Sequence, residues 1–277
     1  GSVCYTNPEV AKIMAAKIID AIQSNPKQRV FSVSQADTTN AECECDNCQR
    51  LIRQEGVAGA QLRLANEVAA IVSESYPDII ITTLSYGRDK PETILPHKNV
   101  VVFYAPIMDR WNQVKMLIPL GEIGNITKQA GGWLQMGASL YWWDYIDAPD
   151  IPLPTFDMFD QSLAYLTSLK VRGYFADCCA NGVSLDPLKR WCYTKKLWNP
   201  AWSMDGLLEE FIDAYYGVAA PQMKAYLDIQ RRAWRRFGQD IKMKGEDAGI
   251  QLVYTDDELN MMAQLLSEAY EQEPEVT

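Results

Sequence analysis

Asp37, Asp109, Asp144 and Asp177 are the carboxylates around which chemistry could be organised. Each falls at, or just beyond, the end of a stretch that reads as a β-strand, and Tyr86 ends a fifth such stretch. Singly, an aspartate at such a place serves as a helix cap or turn residue, because its short side chain bonds nearby backbone. Recurrence at successive strand ends points instead to an acid-lined site. Around Asp144 the chain reads Gly-Ala-Ser-Leu-Tyr-Trp-Trp-Asp-Tyr, residues 137–145. Alternate strand residues face opposite ways. Leu140, Trp142 and Asp144 therefore share one face, and Tyr141, Trp143 and Tyr145 the other. A carboxylate beside an indole suits a polyol with one apolar face, and a sugar is the obvious candidate.

The chemistry that is missing narrows the class. The one histidine, His97, follows a proline in a polar loop, so neither a Ser-His-Asp relay nor a polyhistidine metal site is available. There is no Gly-x-Gly-x-x-Gly and no P-loop, so no nucleotide or dinucleotide cofactor is expected. Acids set beside tryptophan and tyrosine fit glycoside hydrolysis, in which carboxyl groups carry proton transfer and charge stabilisation. A net charge of -10 argues against a nucleic-acid partner. Arg231, Arg232, Arg235 and Arg236 flank Trp234 and read as a solvated helix face. No apolar run reaches the ~18 residues of a membrane span.

Seven cysteines leave at least one unpaired within the chain. Cys43-x-Cys45-x-x-Cys48 supplies three thiolates, and a fourth could come from Cys178, Cys179 or Cys192. Such a site would be tetrahedral and structural. Paired C-x-x-C knuckles are the usual zinc spacing and only one is present, so buried or loop-packing thiols, with no metal, are the expectation.

The elements that must position these groups alternate. A helix from Asn7 to Gln23 has Asn7 as cap and Pro8 in its first turn. Strands follow at residues 29–37, 79–86, 99–106, 137–145 and 171–177, and the second and third are the near-continuous apolar runs of parallel strands covered on both faces. Between them lie helices at 59–75, 121–135 and 155–170. After Cys179 only helices remain, at 185–197, 205–216, 221–237 and 256–270. This pattern predicts an α/β region over 1–182 and a helical region over 183–277. Five strands make either an open sheet or the later part of a (β/α)8 barrel whose first strands lie upstream; a start directly inside a helix pattern favours the barrel.

Taken in order, a further set of residues carries a family likeness. It comprises Cys4-Tyr5-Thr6-Asn7-Pro8-Glu9-Val10, Ser32-Val33-Ser34-Gln35-Ala36-Asp37 with the C-x-C-x-x-C, Asn66-Glu67-Val68-Ala69, Tyr76-Pro77-Asp78 and Thr83-Leu84-Ser85-Tyr86. It continues with Trp143-Asp144-Tyr145, Val171-Arg172-Gly173, Lys196-Leu197-Trp198-Asn199-Pro200 and Tyr215-Tyr216-Gly217. Through these the chain resembles a family first catalogued as a bacterial domain of unknown function. That family is related to the hexosaminidase-like glycoside hydrolases, and some members are endo-β-N-acetylglucosaminidases. The resemblance implies a (β/α)8 barrel with upstream strands and an upstream domain, a secreted or periplasmic protein, and a carbohydrate partner. It also implies a substrate-assisted mechanism, in which the sugar's 2-acetamido oxygen attacks the anomeric carbon. One enzyme acid polarises that amide and another protonates the leaving oxygen.

The chain departs from the family pattern twice. Ala36-Asp37 stands where Asn-Asp is common, and Ala176 where a glutamate often follows the last strand's Gly-x-Phe. A shifted acid, a different sugar, glycan binding without catalysis, or an inactive fragment would each account for this. Strand-end position ranks Asp37 first among the catalytic candidates, then Asp144 and Asp177. Gln35, Tyr86, Asp109, Trp142, Trp143 and Tyr145 form the candidate sugar-binding set. Within it Trp142 lies on the side of Asp144, which leaves Trp143 on the side suited to core packing.

Overall fold

The computed structural model describes residues 2–35, 42–88, 90–106, 118–146, 154–177, 185–244 and 253–272. Asp37, Asp109, Cys178 and Cys179 lie outside them. The chain forms two compact units. One comprises Gly1–Asp109, Gly124–Asp144 and Leu169–Ala176, the other Arg110–Ile123, Tyr145–Ser168 and Asp177–Thr277.

Five strands form one curled sheet in sequence order: β1 (Val30–Ser32), β2 (Ile80–Tyr86), β3 (Val100–Ala105), β4 (Ser139–Tyr145) and β5 (Gly173–Asp177). The first four pair in parallel, with Phe31 opposite Ile81, Leu84 opposite Phe103 and Phe103 opposite Tyr141. β5 joins β4 through Arg172 N donating to Leu140 O at 3.0 Å. Parallel neighbours require a crossover between them; helices supply it between β1 and β2, β3 and β4, and β4 and β5, while the described residues between β2 and β3 hold no helix. β1 is shorter than the predicted strand: Val33–Gln35 lie beyond it, although Val33 N still bonds to Thr82 O at 2.8 Å, and the last two residues of the predicted 29–37 stretch lie outside the described residues.

In the first unit α1 (Pro8–Ser24) begins as predicted, with Asn7 Oδ1 accepting from Glu9 N at 3.0 Å. Its buried residues Ala11, Ala15, Ile18 and Ile22 form one stripe, the i, i+4 spacing of a helix packed on one side. α2 (Asp46–Ser75) starts well before the predicted Gly59, because Cys45 caps an additional polar stretch. That stretch meets the apolar part at Gly56, whose φ of 72° is left-handed and interrupts the helix. α3 (Gly124–Gln135) packs Ile126, Ala130 and Trp133 inward.

The second unit holds α4 (Phe156–Ser168), α5 (Asp186–Trp198), α6 (Met204–Tyr216), α7 (Ala220–Lys244) and α8 (Asp256–Gln272). A core of Phe156, Phe159 and Tyr193 joins α4 to α5, the Phe159 and Tyr193 rings stacking at 3.8 Å. The arginines of α7 are not merely a solvated face. Arg231 is 14% exposed and pairs with Asp157 of α4 at 2.5 Å and Asp205 of α6 at 2.7 Å, while Arg235 also reaches Asp157 at 2.8 Å. The Arg231 guanidinium thus ties three helices together; burial alone would raise the Asp157 carboxyl, but its bonds from Arg235 and Arg231 outweigh that and hold it below its ordinary range.

Candidate functional site

Parallel strands bring their carboxyl ends to one edge, and side-chain alternation divides what arrives there between two faces. Ser85, Tyr104 and Trp142 lie in register on one face. It is sealed: Trp142 is 0% exposed and packs on Tyr104 at 5.1 Å, and Tyr104 Oη donates to Gln129 Oε1 of α3 at 2.7 Å. Asp144 is on this face too, 1% exposed, accepting from Tyr174 Oη at 3.0 Å.

Leu84, Phe103 and Tyr141 lie in register on the other face, and Tyr86, Trp143 and Phe175 continue it toward the carboxyl ends. All are half-buried except Phe175, which is 44% exposed. Trp143 packs against Phe175 at 4.3 Å and against Phe103 at 5.7 Å, both rings tilted or edge-on. Phe103 in turn meets Tyr141 edge-on at 5.7 Å. The Nε1 atoms of Trp142 and Trp143 are both buried and have no acceptor among the described residues. The predicted division of residues 140–145 into two sets therefore stands, but the roles of the tryptophans reverse. Trp143 is on the accessible side and Trp142 is core. Alternation fixes which residues share a side; only the helices decide which side they cover.

Gln35 sits three residues beyond β1. Its amide lines a cavity of about 110 Å³ with Tyr5, Val33, Gln61 and Leu64, behind the strand and between α1 and α2. Tyr5 Oη, Gln61 Oε1 and both polar atoms of Gln35 have no hydrogen-bond partner among the described residues. A space of that size holds about three waters, which is the ordinary way such atoms are satisfied. In the second unit, Tyr145 is buried and Asp177 half-buried, its carbonyl accepting from Ile146 N at 3.3 Å.

A second constellation lies at the start of α2. The Sγ atoms of Cys4, Cys43, Cys45 and Cys48 all fall within 4.8 Å of one another. Cys4 is 3.7 Å from Cys45 and 3.6 Å from Cys48. Cys48 N donates to Cys45 Sγ at 3.5 Å, and Thr6 Oγ1 is 3.3 Å from Cys48 Sγ. Burial raises the Cys4 thiol, but hydrogen bonds with Thr6, Cys48 and Cys45 outweigh it and bring it down to about 6. Among the described residues the fourth thiol is thus Cys4; of the three proposed from the sequence, Cys178 and Cys179 lie outside the described residues. Cys192 is buried in α5, outside the cluster, and burial pushes its thiol up to about 12, an inert structural cysteine. Cys4 was missed because metal spacing is sought locally, whereas this residue precedes α1.

Residues 1–228 match the model of a family described as "Domain of unknown function (DUF4838)". No curated protein and no solved structure matches the chain.

Proposed function

We propose that this chain, which belongs to the DUF4838 family, works on glycans containing N-acetylhexosamine, as a glycoside hydrolase of the substrate-assisted type. The observation that carries the reading is the aromatic row of half-buried Tyr86, Phe103 and Trp143 and exposed Phe175 on one face of the parallel sheet. Aromatic faces stack on the C–H surface of a pyranose. Sequential parallel order and the curl of the sheet support its being the later part of a (β/α)8 barrel, in which ligands bind at the carboxyl ends of the strands.

In this reading Asp37 polarises the acetamide so that its oxygen attacks the anomeric carbon, and a second acid protonates the departing oxygen. Asp177, half-buried, is better exposed for proton donation than Asp144. Asp144 instead fixes the Tyr174 hydroxyl. The test is turnover of a chromogenic β-N-acetylglucosaminide by the full-length protein. Asp37→Asn should reduce it by about 100-fold or more, and Trp143→Ala should raise KM. Equal activity in Asp37→Asn removes the catalytic assignment. Binding without any turnover selects the second reading, a glycan-binding protein on the same scaffold, which the burial of Asp144 favours.

A further inference from the structure

We propose that Cys4, Cys43, Cys45 and Cys48 form a four-thiolate site for one zinc ion, which staples the segment before α1 to the start of α2. The argument begins with spacing. Zinc–sulfur bonds of ~2.3 Å in tetrahedral geometry place the sulfurs ~3.8 Å apart. The Cys4–Cys48 and Cys4–Cys45 separations are 3.6 and 3.7 Å, and the remaining pairs stay within 4.8 Å. A disulfide needs ~2.05 Å, so none of the measured pairs is bonded. Four sulfurs converging from two chain segments without bonding one another are arranged around a common point. The separation in sequence between Cys4 and Cys48 is 44 residues, so no local turn chemistry explains the convergence.

The surroundings suit negative sulfur. Cys45 is the N-cap of α2 and accepts from Cys48 N, so the positive end of that helix faces the thiolates. The Thr6 hydroxyl lies 3.3 Å from Cys48 Sγ and 3.6 Å from Cys4 Sγ, placed to donate to a ligand sulfur as a supporting group does around structural metals. The donor set selects the ion. Four thiolates exclude calcium and magnesium, which take oxygen, and suit zinc or iron. A single ion fits sulfurs this close, and a closed shell with no open position makes the site structural rather than catalytic. The site lies in the first unit, apart from the aromatic face, and does not depend on what that face binds.

Metal analysis of the full-length protein, purified without chelator or added metal, tests this directly. About one zinc per chain is expected. Cys4→Ser should lower the content to below about 0.2 per chain, and Cys192→Ala should leave it unchanged. Chelation should lower Tm by at least about 5 °C, because binding to a folded site is folding free energy. If Cys4→Ser does not fold, exchange of the wild-type metal for cobalt still decides: intense visible bands of a tetrahedral cobalt thiolate support the site. A metal-free wild type with reactive thiols, iron in place of zinc, or a folded Cys4→Ser that keeps its zinc overturns it.

Discussion

Tyr174 Oη donates to Asp144 Oδ2 at 3.0 Å, from one strand to the next, on the face of the sheet that the helices seal. A carboxylate that is 1% exposed needs its donors, since water cannot replace them. Tyr174→Phe deletes one such donor while keeping the ring. It should cost about 1–3 kcal/mol in urea unfolding. An unchanged midpoint would mean that Asp144 does not depend on this hydroxyl.

The two adjacent tryptophans should separate stability from binding. Trp142→Ala opens a cavity in sealed packing against Tyr104 and should cost about 3–5 kcal/mol. Trp143→Ala strips a half-buried ring from the accessible face and should cost less. It should also weaken binding of an N-acetylglucosamine oligomer, measured by calorimetry. If Trp142→Ala alone impaired binding at unchanged stability, the assignment of the two faces would be wrong.

The same pair of residues marks how far the sequence could be read. The apolar runs at 79–86 and 99–106 announce parallel strands, and they are β2 and β3 almost to the residue, although the coverage expected on both sides is complete on one only, Leu84, Tyr86 and Phe103 being half-buried on the other. Asn7-Pro8 announces the start of α1, and the cap bond is there. What failed was whatever depends on distant chain. The start of α2 offers only the brief set Cys48, Leu51 and Ile52 at helical spacing, too short for periodicity to announce a helix, and Cys45 and the glycine break define it. Cys4 meets Cys48 because α1 packs on α2, a fact no local spacing contains. Trp142 and Trp143 were correctly set on opposite faces, yet nothing in the alternation says which face is covered. Asp37, on which the catalytic reading rests most, and Asp109 of the candidate binding set lie outside the described residues.

Glu258 gives a pH dependence with a definite sign. Its carboxylate takes two bonds at 2.9 Å from the Arg236 guanidinium, and also accepts from Thr255 N at 2.9 Å while its own N–H donates to Thr255 Oγ1. This is a reciprocal capping box at the start of α8. Arg236, first of all, lowers the Glu258 pKa to about 2. A group depressed in the folded state contributes stability above its unfolded pKa of ~4.3 and loses it as pH falls toward 2. The partners are partly solvated, so the contribution is discounted to about 1 kcal/mol. Glu258→Gln should therefore be less stable than wild type at pH 7. The gap should close between about pH 4 and 2, as read from urea midpoints. A gap that persists unchanged at the lowest pH would show that charge plays no part.

Gly173 is held small by a ring on the neighbouring strand. A Cβ there would stand 2.8 Å from Tyr141 Cδ1, closer than real Cβ atoms approach other atoms, and 2.9 Å from Cγ. The ring cannot retreat freely, because Phe103 meets it edge-on at 5.7 Å. Gly173→Ala should therefore overpack the aromatic face and cost about 1–3 kcal/mol, although an alanine in a strand is otherwise slightly favourable over glycine. The cause can be isolated by a double-mutant cycle with Tyr141→Ala. With the ring gone, the same Gly173→Ala change should become neutral or stabilising, giving a coupling energy of at least about 1 kcal/mol. Additive effects would break the link between the two residues, leaving the glycine to be explained by its backbone alone.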